Sequence, residues 1–129
     1  VENFSFTRAE RIRSRTEFQA LKVNGSVFRT RKLLFNFGPG GSAARSSGPQ
    51  AATTSRFGLV VTKKVGGSVF RNKVKRWLRE AFRLNKNGFA APLELIVVPR
   101  VSDLSFSDIE QDLRYFQKWY NEKNARRAH

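Results

Sequence analysis

Cysteine is absent from the 129-residue chain, and its one histidine is His129, the last residue. The first absence excludes a disulfide framework and thiolate metal sites. Together they leave no material for a Cys nucleophile or a His-dependent triad; His129 reads as a frayed end. No apolar run approaches the ~18 residues of a membrane span. The first residues have no signal-peptide layout. A cytoplasmic protein without a membrane partner is the expectation. The chain opens on Val1 rather than Met, which leaves its natural start open.

Acidic residues are also scarce. Ten Asp and Glu face 25 Lys and Arg, a formal charge of +15. So large a surplus repels itself in a free globule and calls for an anionic partner. Nucleic acid fits best, because phosphate contacts release condensed counterions and supply most of the affinity. The charge is local. Residues 63–86 hold nine basic residues against Glu80, and residues 1–37 hold eight against three acids. Six of the ten acids fall between Glu94 and Glu122.

Length and composition imply one domain over 1–129. After a basic, irregular start, Thr16 and Gln19 form a capping-box pattern for a short helix stopped by Gly25. A weak strand signal covers Ser26–Thr30, and a clearer one Lys32–Phe37. Gly38–Ser55 is rich in Gly, Ser, Ala and Pro and reads as a flexible loop. Arg56–Thr62 is a near-continuous apolar strand, expected to be buried on both faces. Lys63 to Gly67 make a basic turn, and Ser68 is placed to cap the next helix, which ends at Asn87-Gly88. Leu93–Val98 is a strand closed by Pro99. Ser107 to Glu110 form a second capping-box pattern, ahead of an apolar stripe of Ile109, Leu113, Phe116 and Tyr120. The tail over 121–129 is polar and expected to fray. Asp108, Glu110 and Asp112 cluster in the first turns of that helix, where acids complement the dipole.

Arg71–Arg83 is the most informative run. At ~100° per residue, Val74, Trp77, Leu78, Ala81 and Phe82 form a buried stripe. Asn72, Arg76, Arg79 and Arg83 gather on the far side within roughly 60°. A solvated charged face usually mixes signs. This row is of one sign, and its guanidinium forks match phosphate geometry. Among the aromatics, Phe35 and Phe37 alternate along a strand. They serve either as core or as a platform for unpaired bases beside a basic groove. Phe18 stands between core and cleft edge.

The stretch Ser55–Phe82 resembles the bacterial ribonuclease P protein family. Its pattern is carried by Arg56 and Gly58; by Thr62, Lys63, Lys64 and Gly66; and by Val69, Arg71, Asn72, Lys73, Lys75, Arg76, Arg79 and Glu80. The resemblance implies an α/β (α+β) sandwich of order αβββαβα, similar to domain 2 of ribosomal protein S5, with a left-handed βαβ crossover. It implies a protein subunit that works with a catalytic RNA. That RNA, with Mg²⁺, removes the 5′ leader of precursor tRNA. No obligate protein partner is expected. By the same resemblance, Lys63, Lys64, Arg71, Asn72, Lys73, Lys75, Arg76, Arg79 and Arg83 are the RNA-binding set. Phe18, Lys22, Phe35 and Phe37 are the leader-cleft set. Two departures stand out: Lys22 occupies a place where a second cleft aromatic is common, and the strand aromatic aligns near Asn36. Lys73 keeps the charge of the family's third motif letter but loses the planar fork. The rival reading is a non-catalytic ribosomal or general RNA-binding protein of the same fold.

Overall fold

The computed structural model of the chain describes residues 10–12, 14–40 and 55–127. Most of the basic start, most of the Gly38–Ser55 loop and His129 lie outside the described residues. The elements are α1 (Arg15–Asn24), β1 (Ser26–Arg29), β2 (Leu33–Pro39), β3 (Arg56–Leu59), α2 (Ser68–Asn85), β4 (Leu93–Pro99) and α3 (Phe106–Arg127), with a 3₁₀ turn at Lys86–Gly88. The expected αβββαβα order holds.

The sheet order is β1-β2-β4-β3. β2 pairs antiparallel with both β1 and β4, and β3 pairs parallel with β4 across the α2 crossover. Burial follows from this order. β4 is central, and its LELIVV run is buried on both faces. β3 is an edge strand and stops at Leu59, so the double-sided burial expected for Arg56–Thr62 does not occur; Val60 and Thr62 are exposed.

Alternation along β2 divides the core. Leu33, Phe35 and Phe37 face α2 and α3, together with Phe57, Leu93, Leu95 and Val97. Phe35 stacks on Phe116 with centroids 4.8 Å apart and rings 4° from parallel. The Ile109, Leu113, Phe116 and Tyr120 stripe is buried as its spacing implies. On the other face, α1 lays Leu21 and Phe18 over Ile96 and Val98, joined by Ile12. The main sandwich is therefore sheet against α2 and α3, and α1 covers part of the reverse side.

The helix ends correct the expected caps. Ser14, not Thr16, caps α1, its hydroxyl accepting the Glu17 N–H at 3.1 Å. Gly25 follows α1 with an extended backbone, φ −87°. What demands glycine there is space, because a Cβ would lie 2.5 Å from the Leu21 carbonyl oxygen and 2.7 Å from that of Phe37. Gly67, not Ser68, is the α2 cap residue. Ser105 and Asp108, rather than Ser107 and Glu110, exchange the two hydrogen bonds of a capping box at α3. The acids there are engaged: Asp108 pairs with Lys32 at 3.0 Å, and Asp112 accepts from the Thr30 hydroxyl at 2.7 Å. α3 also continues through Arg127 where a frayed tail was expected beyond Asn121. Lys123 lies 5.0 Å from the Trp119 ring centroid, and the Asn124 amide bonds back to the Tyr120 carbonyl.

Candidate nucleic-acid interface

α2 is built as its sequence implies. Val74, Leu78, Ala81 and Phe82 are buried, while Trp77 is half-buried against the same core. Lys73 sits 5.3 Å over the Trp77 ring. That leaves Asn72, Arg76 and Arg79 exposed on a rigid helix. Arg71 is half-buried, and its Nε is buried with no hydrogen-bond partner among the described residues. Arg83 differs from the row it belongs to by sequence. It makes a forked pair with Glu80 at 2.8 and 2.6 Å, so its charge is matched along the helix. Upstream, Lys63 and Lys64 are exposed on a turn that ends at Gly66, whose φ of +151° favours glycine.

A groove follows the β3 edge between α1 and α2. Two cavities define it. One of about 290 Å³ is bounded by Arg11, Ile12, Phe18, Gly58 and Arg79. Its neighbour of about 450 Å³ is bounded by Arg15, Phe18, Val60, Lys75 and Arg79. Phe18 and Arg79 border both. Among the described residues, Arg15, Lys75 and Arg79 have no carboxylate within ion-pair distance. No His, Cys, Asp or Glu is among the described residues that line it. Its cations and its ring can bind an anion and stack an unpaired base.

Partly buried ion pairs hold the walls. Arg56 on β3 donates to Glu17 on α1, to Glu94 on β4 at 3.3 Å, and to the Arg11 carbonyl at 3.2 Å. Burial pushes the Glu17 carboxyl up. The Arg56 guanidinium and Ser14 outweigh it, and the group ends below its ordinary value. The bond to Glu17 correspondingly raises Arg56. Residues 10–12 run beside β3, where the Ile12 N–H meets the Phe57 carbonyl at 2.7 Å. Lys86 fastens this strap through both Glu10 oxygens, at 3.0 and 2.9 Å.

Three of the four expected cleft residues do not line the groove. Phe35 and Phe37 are 0% and 5% exposed on the α3 side of the sheet, because strand alternation turns them away from α1. The β2 residue on the α1 side is Asn36, which pairs across to Ile96 and is buried. Lys22 is exposed one turn beyond Phe18 and borders neither cavity. Phe18 alone of the expected set lines the groove. Arg11 and Arg15 line it although the resemblance names neither, and Gly58, a residue of the family pattern, lines it too. The alternating arginines near the start were the available signal for the first two.

The chain and its fold are similar to known proteins. The ribonuclease P family model matches residues 6–121. The ribonuclease P protein component of Desulfatibacillum aliphaticivorans is 36% identical over 98 residues, covering 76% of this chain and 75% of its own. That of Thermotoga maritima is 36% identical over 96 residues, 74% of each chain. The solved Thermotoga maritima RNase P protein superposes with a TM-score of 0.68 at 29% identity, covering 84% of this chain and 96% of that one. The Staphylococcus aureus RNase P protein gives 0.69 at 26%, covering 84% and 92%. The chain belongs to the bacterial ribonuclease P protein component family and is a protein subunit of that endoribonuclease ribonucleoprotein.

Proposed function

We propose that the α2 ridge grips the catalytic ribonuclease P RNA and that the β3-edge groove holds the unpaired 5′ leader of precursor tRNA. Arg71, Asn72, Lys73, Lys75 and Arg76, with Lys63 and Lys64, face the catalytic RNA. Phe18 stacks on a leader base, while Arg11, Arg15 and Arg79 carry its phosphates. Leader binding then leans on charge more than on stacking, since Phe35 and Phe37 are core residues and Lys22 is no aromatic. The observation that carries this reading is the shared lining of both cavities by Phe18 and Arg79.

Phosphodiester hydrolysis and Mg²⁺ belong to the RNA on this reading. No group of three His, Cys, Asp or Glu able to hold a metal occurs among the described residues. The protein instead contributes cations that offset phosphate repulsion where the RNAs meet. The setting is the cytoplasm, where tRNA is matured. No helix among the described residues is long and apolar enough to cross a membrane.

Binding of leader-bearing and mature tRNA to the reconstituted holoenzyme tests the reading. Tighter binding of the leader-bearing form, lost in Phe18→Ala, is expected. Equal affinity for the two RNAs would remove the groove from leader recognition.

A further inference from the structure

The edge of the sheet opposite the groove carries a second aromatic and basic surface. Phe28 on β1 lies 4.7 Å from Trp119 and 5.8 Å from Tyr115, both on α3. Tyr115 is 63% exposed, the one aromatic among the exposed large hydrophobic side chains of the described residues. It stands one turn from Trp119, which is partly buried and has Lys123 over its ring. Five basic residues fall between Arg114 and Arg127, against Glu122 alone. Lys118, Lys123 and Arg126 have no carboxylate within ion-pair distance among the described residues.

The acids of α3 lie mainly in its first two turns. There Lys32 and Thr30 of the β1–β2 turn engage Asp108 and Asp112. The helix is thus anchored at its acidic start and presents cations beside the open Tyr115 ring along the rest. The centre of a protein–protein interface is depleted of charge, of lysine above all. An exposed ring beside unpaired cations suits a strand of unpaired bases, which offers a π-face and a phosphate at each step.

We propose that Tyr115, Trp119, Lys118, Lys123 and Arg126 form a second binding surface for single-stranded RNA, separate from the groove. The two surfaces flank opposite edges of one sheet, so one subunit can hold two RNA segments at once. Tyr115 supplies the open stacking face, Trp119 the fixed ring behind it, and the three cations the phosphate contacts.

The chain has two tryptophans, so Trp77→Phe leaves Trp119 as the only one. In that background, Arg76→Glu with Arg79→Glu disables the α2 ridge. Titration with a short oligouridylate at low salt should still quench Trp119 emission. Adding Tyr115→Ala should weaken that binding by about fivefold or more, the lower end of what one stacked base is worth. Photocrosslinking the unmodified chain to 4-thiouridine-substituted oligouridylate avoids the Trp77 change; the crosslinked peptide should contain Tyr115. Unquenched Trp119, unchanged affinity in the Tyr115→Ala chain, or crosslinks confined to the groove would overturn the proposal. So would sedimentation showing that Tyr115→Ala abolishes self-association and leaves oligonucleotide affinity intact, since the surface would then seat a second copy. None of these outcomes would overturn the leader groove, whose test is separate.

Discussion

The Cζ atom of Phe18 lies 3.0 Å from the point where a Cβ on Gly58 would stand. The α1 ring rests almost on the β3 backbone, and the absence of a side chain at Gly58 sets the depth of the groove between them. Gly58→Ala should push Phe18 outward and alter the groove at modest cost in stability, about 1–2 kcal/mol for overpacking. Filter binding to the holoenzyme should show weakened leader-bearing precursor and unchanged mature tRNA. Equal weakening of both would mean that Gly58 does not shape the leader site.

Gly25 should tolerate less. Its Cβ would meet carbonyl oxygens of Leu21 and Phe37, backbone atoms with nowhere to swing. Gly25→Ala should destabilise by about 3 kcal/mol, the upper part of the overpacking range. α1 would lift, taking Phe18 with it. Urea denaturation with a fluorescence readout measures the loss. A change under ~0.5 kcal/mol would show that α1 can end elsewhere.

The Glu17–Arg56 bond makes stability depend on pH in a defined sense. Glu17 is held below its ordinary value of 4.5 in the folded chain. Its contribution is therefore fully present above that value and is lost as pH falls through the lower folded one. Glu17→Gln should be less stable than the parent at neutral pH by about 1–2 kcal/mol, as for a hydrogen bond to a charged group. The difference should close as pH falls below 4.5. Paired denaturation curves from neutral pH downward check it, and a constant difference contradicts it.

Arg76→Ala should weaken catalytic RNA binding, and Arg79→Ala binding of leader-bearing precursor to the holoenzyme, each lowering the slope of log affinity against log salt by roughly 0.7–0.9 for each phosphate contact removed. Because both side chains are exposed, thermal unfolding should move little, within ~0.5 kcal/mol. Fluorescence anisotropy over a salt series provides the slope. An unchanged slope with normal circular dichroism would take that arginine out of the interface.

The α2 face was readable in advance because one amphipathic helix carries both its anchor and its ligand row. Val74, Leu78 and Phe82 bury it, and Arg76 and Arg79 are left outside by period alone. The caps were not so readable. Ser14 with Glu17 and Thr16 with Gln19 are overlapping boxes of the same type, as are Ser105 with Asp108 and Ser107 with Glu110. Tertiary partners go with the boxes that form: Glu17 reaches Arg56 and Asp108 reaches Lys32. For Phe35 and Phe37, alternation says that they share a face and not which helix covers it; α3 does so through Phe116 and Trp119. The tail looked polar enough to fray, yet Lys123 over Trp119 and the Asn124 bond to Tyr120 continue the helix by contacts that composition does not display. Nothing local in the sequence marks Arg11 for the groove, because it enters through a strap pinned by Glu10 to Lys86, 76 positions away.

The central claim is that this subunit organises RNA and does not cut it. Precursor tRNA cleavage at low Mg²⁺ tests this most directly, with cognate catalytic RNA alone, with the RNA and the protein, and with the nucleic-acid-free protein alone. Strong stimulation of the RNA by the protein, and no cleavage by the protein alone, is the predicted result. Leader removal by the protein alone, or no stimulation of the RNA, would contradict the account.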